Sequence, residues 1–401
     1  MKYILASTLL LISAFVSAQN SHSASFELGE GLSVDLNNGD YSFSLGGMIQ
    51  PSVGFIKDST AESEYLFNSR RTYFHIGGKA KNEKLSFLIQ TDFSLSSPLL
   101  DAWVTYSPSK FIDLTFGQKQ TIANNREMQI MEDKLQFADR SLLSSSYSNT
   151  GREFGLFIAS ELPIKSMVLV PQIAVTSGDG RNSFGADSRD VDAGGLKYAA
   201  RLDFYPMGSF SEGNDEQIMD MAHEEKPKLV LGTAASYNDG ASDVNGEGHQ
   251  NLELYNLIGQ SQLPDYRQLY SDILFKYRGF SFLGEYTIST AKGLQGAYLN
   301  NTASATLLPT QISELLSLGT GYNAQLGYVT KSGYGADIRY ASVSPEFDTN
   351  INSEIQDRTA TTIGLTKYVK ENSLKIHVAV TSMDQGDYSK LQGVFMVQVV
   401  F

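Results

Sequence analysis

Cysteine is absent from all 401 residues. This excludes a disulfide framework, a thiolate metal site and a cysteine nucleophile. Tryptophan occurs once and histidine five times. Neither a His-Glu-x-x-His nor a Gly-x-Ser-x-Gly motif occurs, so an enzyme is not expected and no cofactor is implied. Asp239, Asp243, Asn245 and Glu247 in "NDGASDVNGEG" miss the spacing of a calcium loop and read as a polar loop. Lys plus Arg number 31 against 44 Asp plus Glu, a formal net charge of -13, which speaks against nucleic acid as a partner. Beyond the first twenty residues no apolar run reaches the roughly 18 residues of a spanning helix.

What is present points elsewhere. "MKYILASTLLLISAFVSAQN" has Lys2, an apolar stretch from Tyr3 to Val16, then Ser17-Ala18. It reads as a secretory signal over 1–18, followed by a short periplasmic tail over 19–39. The chain carries 21 Tyr, 22 Phe and 35 Gly but only 10 Pro, which suits many strands joined by turns. The dominant hydrophobic period is two. In "LQGVFMVQVVF" Leu391, Gly393, Phe395, Val397, Val399 and Phe401 share one face, and Gln392, Val394, Met396, Gln398 and Val400 the other. The same alternation puts Leu85, Phe87 and Ile89 opposite Ser86, Gln90 and Asp92, and Tyr198, Ala200 and Leu202 opposite Lys197, Arg201 and Asp203.

Strands are expected near 40–56, 66–80, 84–95, 99–107, 111–120, 150–161, 165–177, 195–206, 228–237, 270–277, 279–290, 317–329, 333–344, 357–369, 373–384 and 390–401. Every second link is tight, as in "YRG" (277–279) and "KSG" (331–333); the alternate links tend to be long. That is the rule of an outer-membrane barrel. The expected fold is all-β: a transmembrane antiparallel β-barrel of about sixteen strands over 40–401. Its last strand pairs with its first, Phe401 sits in an aromatic girdle, and a solvated acidic loop occupies 207–227. Loop 120–150 interleaves polar residues with the anchors Ile130, Leu135 and Phe137. Such a loop is expected to press against the inner wall as a constriction.

"FNSRRTYFHIGGKAKNEKLSFLIQTDFS" (67–94) and "LLDAWVTYSPSKFIDLTFGQKQT" (99–121) resemble the phosphate-selective porin O and P family. Asp101, Ala102, Trp103, Gly117, Gln118 and Lys119 carry the match, and 139–162 is similar to the family's segment entering its sixth strand. The resemblance covers about 65–165. It implies a sixteen-stranded, trimeric outer-membrane porin of a Gram-negative bacterium whose third loop folds inside the pore.

Inward-facing bases from the alternation are Arg71, His75, Lys79, Lys119, Lys197, Arg201 and Arg339, each open to pairing with Asp92, Asp113, Asp203, Glu285 or Asp337 on a nearby strand. The loop adds Arg126, Lys134 and Arg140 against Glu127, Glu132, Asp133 and Asp139. The candidate pore-lining and constriction set is therefore Arg71, His75, Lys79, Lys119, Arg126, Glu127, Lys134, Arg140 and Arg201. The function expected is passive diffusion of inorganic ions and small hydrophilic solutes, with an anion or phosphate preference as a variant. The alternative is an adhesin or interaction protein using loops 238–269 and 290–317.

Overall fold

The computed structural model describes residues 23–59, 62–80, 83–181, 193–249 and 251–401; the expected signal segment 1–18 lies outside them. Two short strands come first, β1 (Ser23–Glu27) and β2 (Gly31–Leu36). Then follow β3 (Tyr41–Asp58), β4 (Glu64–Ala80), β5 (Leu85–Asp92), β6 (Leu99–Ser109), β7 (Ile112–Gln120), β8 (Arg152–Ser160), β9 (Leu162–Ile164) and β10 (Met167–Thr176). After these come β11 (Lys197–Tyr205), β12 (Lys228–Asn238), β13 (Asp265–Tyr277), β14 (Phe280–Lys292) and β15 (Gly319–Val329). β16 (Tyr334–Pro345), β17 (Arg358–Lys370), β18 (Leu374–Gln385) and β19 (Tyr388–Val400) complete the wall. β8 and β9 are two pieces of one wall strand, both paired with β10, so β3–β19 form a closed antiparallel barrel of sixteen strands. β19 closes on β3 from Lys390↔Asp58 to Val400↔Met48. Closure leaves no edge to be satisfied by lipid.

Period two decides which face meets hydrocarbon. On β16–β19, Ile338, Tyr340, Ile363, Leu365, Val378, Val380 and Phe395 point outward and are exposed, while Asp337, Arg339, Thr362, Thr366, His377 and Gln398 point inward and are buried. Outward aromatics form two bands. Phe280 and Tyr328 pair at 4.6 Å near the tight turns, and Phe116 with Phe154 and Tyr322 with Tyr340 pair higher up. Phe401 extends the seam: its N–H donates to the Gly47 carbonyl at 2.9 Å, and its ring lies where a side chain on Gly47 would stand.

The segment expected to be a periplasmic tail is instead a hairpin of β1 and β2 over the described residues 23–36. β3 runs past the end of β19, so its lower edge lacks a partner. β2 supplies one, from Leu32↔Leu45 to Leu36↔Tyr41. Unpaired backbone groups at a sheet edge favour such a cover.

Candidate functional site

After β7 the chain turns into the barrel. Residues 121–148 are almost entirely buried against the inner wall, as the apolar anchors required. Ile130 and Leu135 pack with Val230, Leu274 and Leu283, and Phe137 packs with Ala379, Val394 and Met396. Polar latches fix the rest. Arg126 sits between Asp203 and Asp272, and Arg201 donates to the same two carboxylates at 2.9 and 2.7 Å. Glu127 accepts from Gln325 at 3.0 Å, Arg339 at 3.2 Å and the Ser141 N–H at 2.8 Å. The helix Leu142–Tyr147 is capped by Ser141, whose Oγ accepts from the Ser144 N–H at 3.2 Å. The Tyr147 hydroxyl then donates to the Ser344 carbonyl at 2.8 Å.

The wall is cut to receive this loop. A Cβ on Gly232 would lie 2.6 Å from Arg126 Nη2, one on Gly364 2.9 Å from Phe137, and one on Gly321 3.0 Å from Tyr147. One on Gly327 would overlap Gln136. These inward glycines are sockets, each opposite one loop side chain.

A second filler enters from the other end. The 207–227 segment, expected as a solvated acidic loop, folds into the lumen between β11 and β12. Its Phe210 and Ile218 join Ile130 and Leu135 in one cluster. Glu212, Asp215, Glu216 and Glu225 stay exposed, but Asp220 and Glu224 are buried. Asp220 accepts from Asn214 at 3.0 Å and from the Gly279 N–H at 2.7 Å, and Glu224 accepts from the Ser211 N–H at 2.7 Å. The buried Lys276 ammonium donates to the carbonyls of Asn214, Gln217 and Met219. Internal donors and a buried cation replace the water that the acidic composition seemed to demand. At the outer rim, loops 239–264 and 293–318 are not independent either: Leu254, Tyr266, Ala297, Leu307, Ile312 and Leu316 share a core.

The fillers leave the β4–β10 side of the lumen open, in two cavities. The upper one, about 550 Å³, faces the long loops and is lined by Arg70, Arg71, Arg140, Arg152 and Arg181 with Asp92, Glu132 and Glu247. Arg70 and Arg71 both reach it because they lie opposite Gln50 where the β3–β4 register shifts between Ile49 and Pro51. Such a bulge turns two successive residues toward one side. Burial pushes the Glu132 carboxyl up, but Arg152, Arg140 and Arg71 outweigh it and hold it well below the usual carboxylate range. The lower cavity, about 310 Å³, is lined by Ser86, Trp103, Thr105, Asp113, Lys119 and Gln172. Between the two stand Asp101 and Arg152, 3.5 Å apart.

The candidate residues thus separate. Arg71 and Arg140 line the upper cavity. Arg71 donates to Gln50 at 3.0 Å and to the Ala138 carbonyl at 2.9 Å; Arg140 pairs with Glu132 at 2.8 Å. Lys119 faces the lower cavity, 5.5 Å over Phe157. His75 is half-buried beside Gly46. Lys79 lies at the turn rim, exposed and paired with Glu83 at 3.4 Å, so the basic stripe of β4 spans the wall rather than forming one cluster. Arg126, Glu127 and Arg201 fasten the loop on the opposite wall, and Lys134 pairs with Glu216 of the second filler. Lys197 pairs with Glu153 at 2.5 Å. Alternation did not single out Arg70, Arg152 or Arg181; the bulge hid the first, the second opens β8, and the third lies in the connection after β10.

No protein-family model and no curated protein matches the sequence. Among solved structures the fold is similar to OprB of Pseudomonas putida, at 10% identity and TM-score 0.55 over 90% of this chain and 94% of that one. It is similar to the outer membrane channel DcaP of Acinetobacter baumannii, at 11% identity and TM-score 0.55 over 90% and 97%. It is also similar to OmpT, an outer membrane protein of Vibrio cholerae in its trimer form, at 9% identity and TM-score 0.52 over 90% and 99%. At such identities the likeness is one of fold, and the fold is that of an outer-membrane barrel.

Proposed function

We propose that the protein is a passive outer-membrane channel for ions and small hydrophilic solutes that prefers anions, phosphate among them. The observation that carries this reading is the pair of polar cavities stacked along the β4–β10 wall, with the buried Asp101–Arg152 pair standing between them. Charges lining a narrow passage set its selectivity. Five arginines face three carboxylates in the upper cavity. Arg70 Nε and Arg152 Nε have no protein acceptor among the described residues. Guanidinium forks suit oxyanions. The constriction in this reading is loop 121–148 with Glu132, Arg140 and Arg152 at its open edge, and Lys119 below. Transport rather than catalysis is its work. We also propose a homotrimer, in keeping with the trimer form described for the Vibrio cholerae barrel.

Planar-bilayer recording under a potassium chloride gradient tests the reading. A steady channel with a reversal potential of anion-selective sign, moved toward zero by Arg140→Gln, is the expected result. A cation-selective potential would remove the preference, and folded protein that never conducts would remove transport. An interaction role is favoured by one observation, the exposed Leu257, Ile258 and Ile351 on the outer loops; such a barrel would not conduct steadily.

A further inference from the structure

We propose that the lower cavity is a binding site for neutral sugars. The proposal rests on the permeation reading only for how a sugar arrives. Its starting point is the single tryptophan. Tryptophan in a membrane protein usually sits in the interfacial belt, facing lipid headgroups. Trp103 does the opposite. It lies between Ala102 and the outward Val104 on β6 and lines the water-filled side. Its cross-strand neighbour on β7 is Gly117, whose φ of +127° belongs to glycine and which has no side chain to lay over the indole.

The groups around that ring are hydroxyls, an amide and one ion of each sign: Ser86, Thr105, Gln172, Asp113 and Lys119. Asp113 is exposed, and Lys119 is held over Phe157. The contrast with the arginine-rich upper cavity is the argument. Here the side chains sum to no net charge, so an inorganic ion gains little by stopping. A pyranose has an apolar C–H face for the indole and a rim of hydroxyls for a carboxylate, an amide and an ammonium. A cavity of about 310 Å³ lies at the small end of ligand pockets, roughly 300–1,000 Å³, the scale of a single ring with its water.

Because Trp103 is the only tryptophan in the chain, its emission reports this site alone. Folded full-length protein in detergent is titrated with D-glucose and with maltose, with glycerol as the viscosity control. Saturable quenching or a blue shift with the sugars, absent with glycerol, is expected. A second measurement uses bilayers. Sugar-induced current noise should appear in the parent, persist in Trp103→Phe, and require about tenfold more sugar in Trp103→Ala, an aromatic contact of roughly 1.4 kcal/mol. Unchanged emission at all sugar concentrations in a conducting channel overturns the site and leaves the permeation reading standing. Saturable emission in a barrel that does not conduct keeps the site and removes that reading.

Discussion

Replacing Arg126 with methionine keeps length and removes charge. Arg126 and Arg201 balance Asp203 and Asp272, whose side chains are 8% and 0% exposed. Without Arg126, one buried carboxylate has no countercharge, a change that costs about 3–5 kcal/mol when half of a buried pair is lost. That free energy falls on the docked loop and not on the wall, because no rung of the β3–β19 ladder uses the Arg126 side chain. At about 1.4 kcal/mol per tenfold, the docked-to-released ratio should fall by a factor between about a hundred and a few thousand. The barrel should remain closed and heat-modifiable in electrophoresis. Single-channel recording should show larger and noisier openings, and limited proteolysis should cut within 121–148. Adding Asp272→Asn to the Arg126→Met variant restores neutrality and should recover most of the parental behaviour, since the two sites are in contact and not additive. An Arg126→Met channel with parental conductance, noise and protease resistance would refute the idea that this charge box holds the loop.

Two further outcomes follow from the other fittings. Gly327→Ala should overfill the socket where Gln136, Asp337 and Met219 meet. The expected cost is about 1–3 kcal/mol of docking, read as added current noise with unchanged ion preference; a quiet channel would show that the socket has slack. Exchanging Ser209–Glu225 for a short glycine-serine link should raise conductance, because the Lys276 side of the lumen loses its filler. An unchanged conductance would mean that loop 121–148 and the outer loops block that side without it.

The sixteen strands were legible because lipid imposes a strict alternation, and the tight turns fixed their ends to within a few residues. β13 begins at Asp265 rather than near 270 because Tyr266 faces inward and bonds the rim, its hydroxyl donating to the Ser317 carbonyl at 2.8 Å. Ile130, Leu135 and Phe137 were legible as anchors because a loop in open water has no use for them. The pairing of Arg126 with Asp203 and Asp272 was not, since it joins side chains 77 and 146 residues apart. The burial of Asp220 and Glu224 was hidden for a related reason: their hydrogen-bond donors are backbone N–H groups, Asn214 and the Ser211 hydroxyl, which carry no charge for a composition to display. The sockets did leave a trace. Gly232, Gly327 and Gly364 stand at inward positions of alternating strands, where a wall facing only water would have no need of a gap.

The strands that shut the seam also hold the loop. Lys375 on β18 donates to the carbonyls of Asp133 and Leu135 at 2.8 and 3.0 Å, and Gln398 on β19 donates to Asp133 at 2.9 Å while accepting from Gln50 of β3 at 2.7 Å. These contacts bridge 242 and 265 residues, the kind of distant pairing that forms late in folding. Assembly and leak-proofing are therefore one event. The unfinished cylinder must already carry its contents when the final staves arrive, and a barrel whose interior is misplaced leaves Lys375 and Gln398 without their loop acceptors at the joint, so faulty pores are the ones least able to seal.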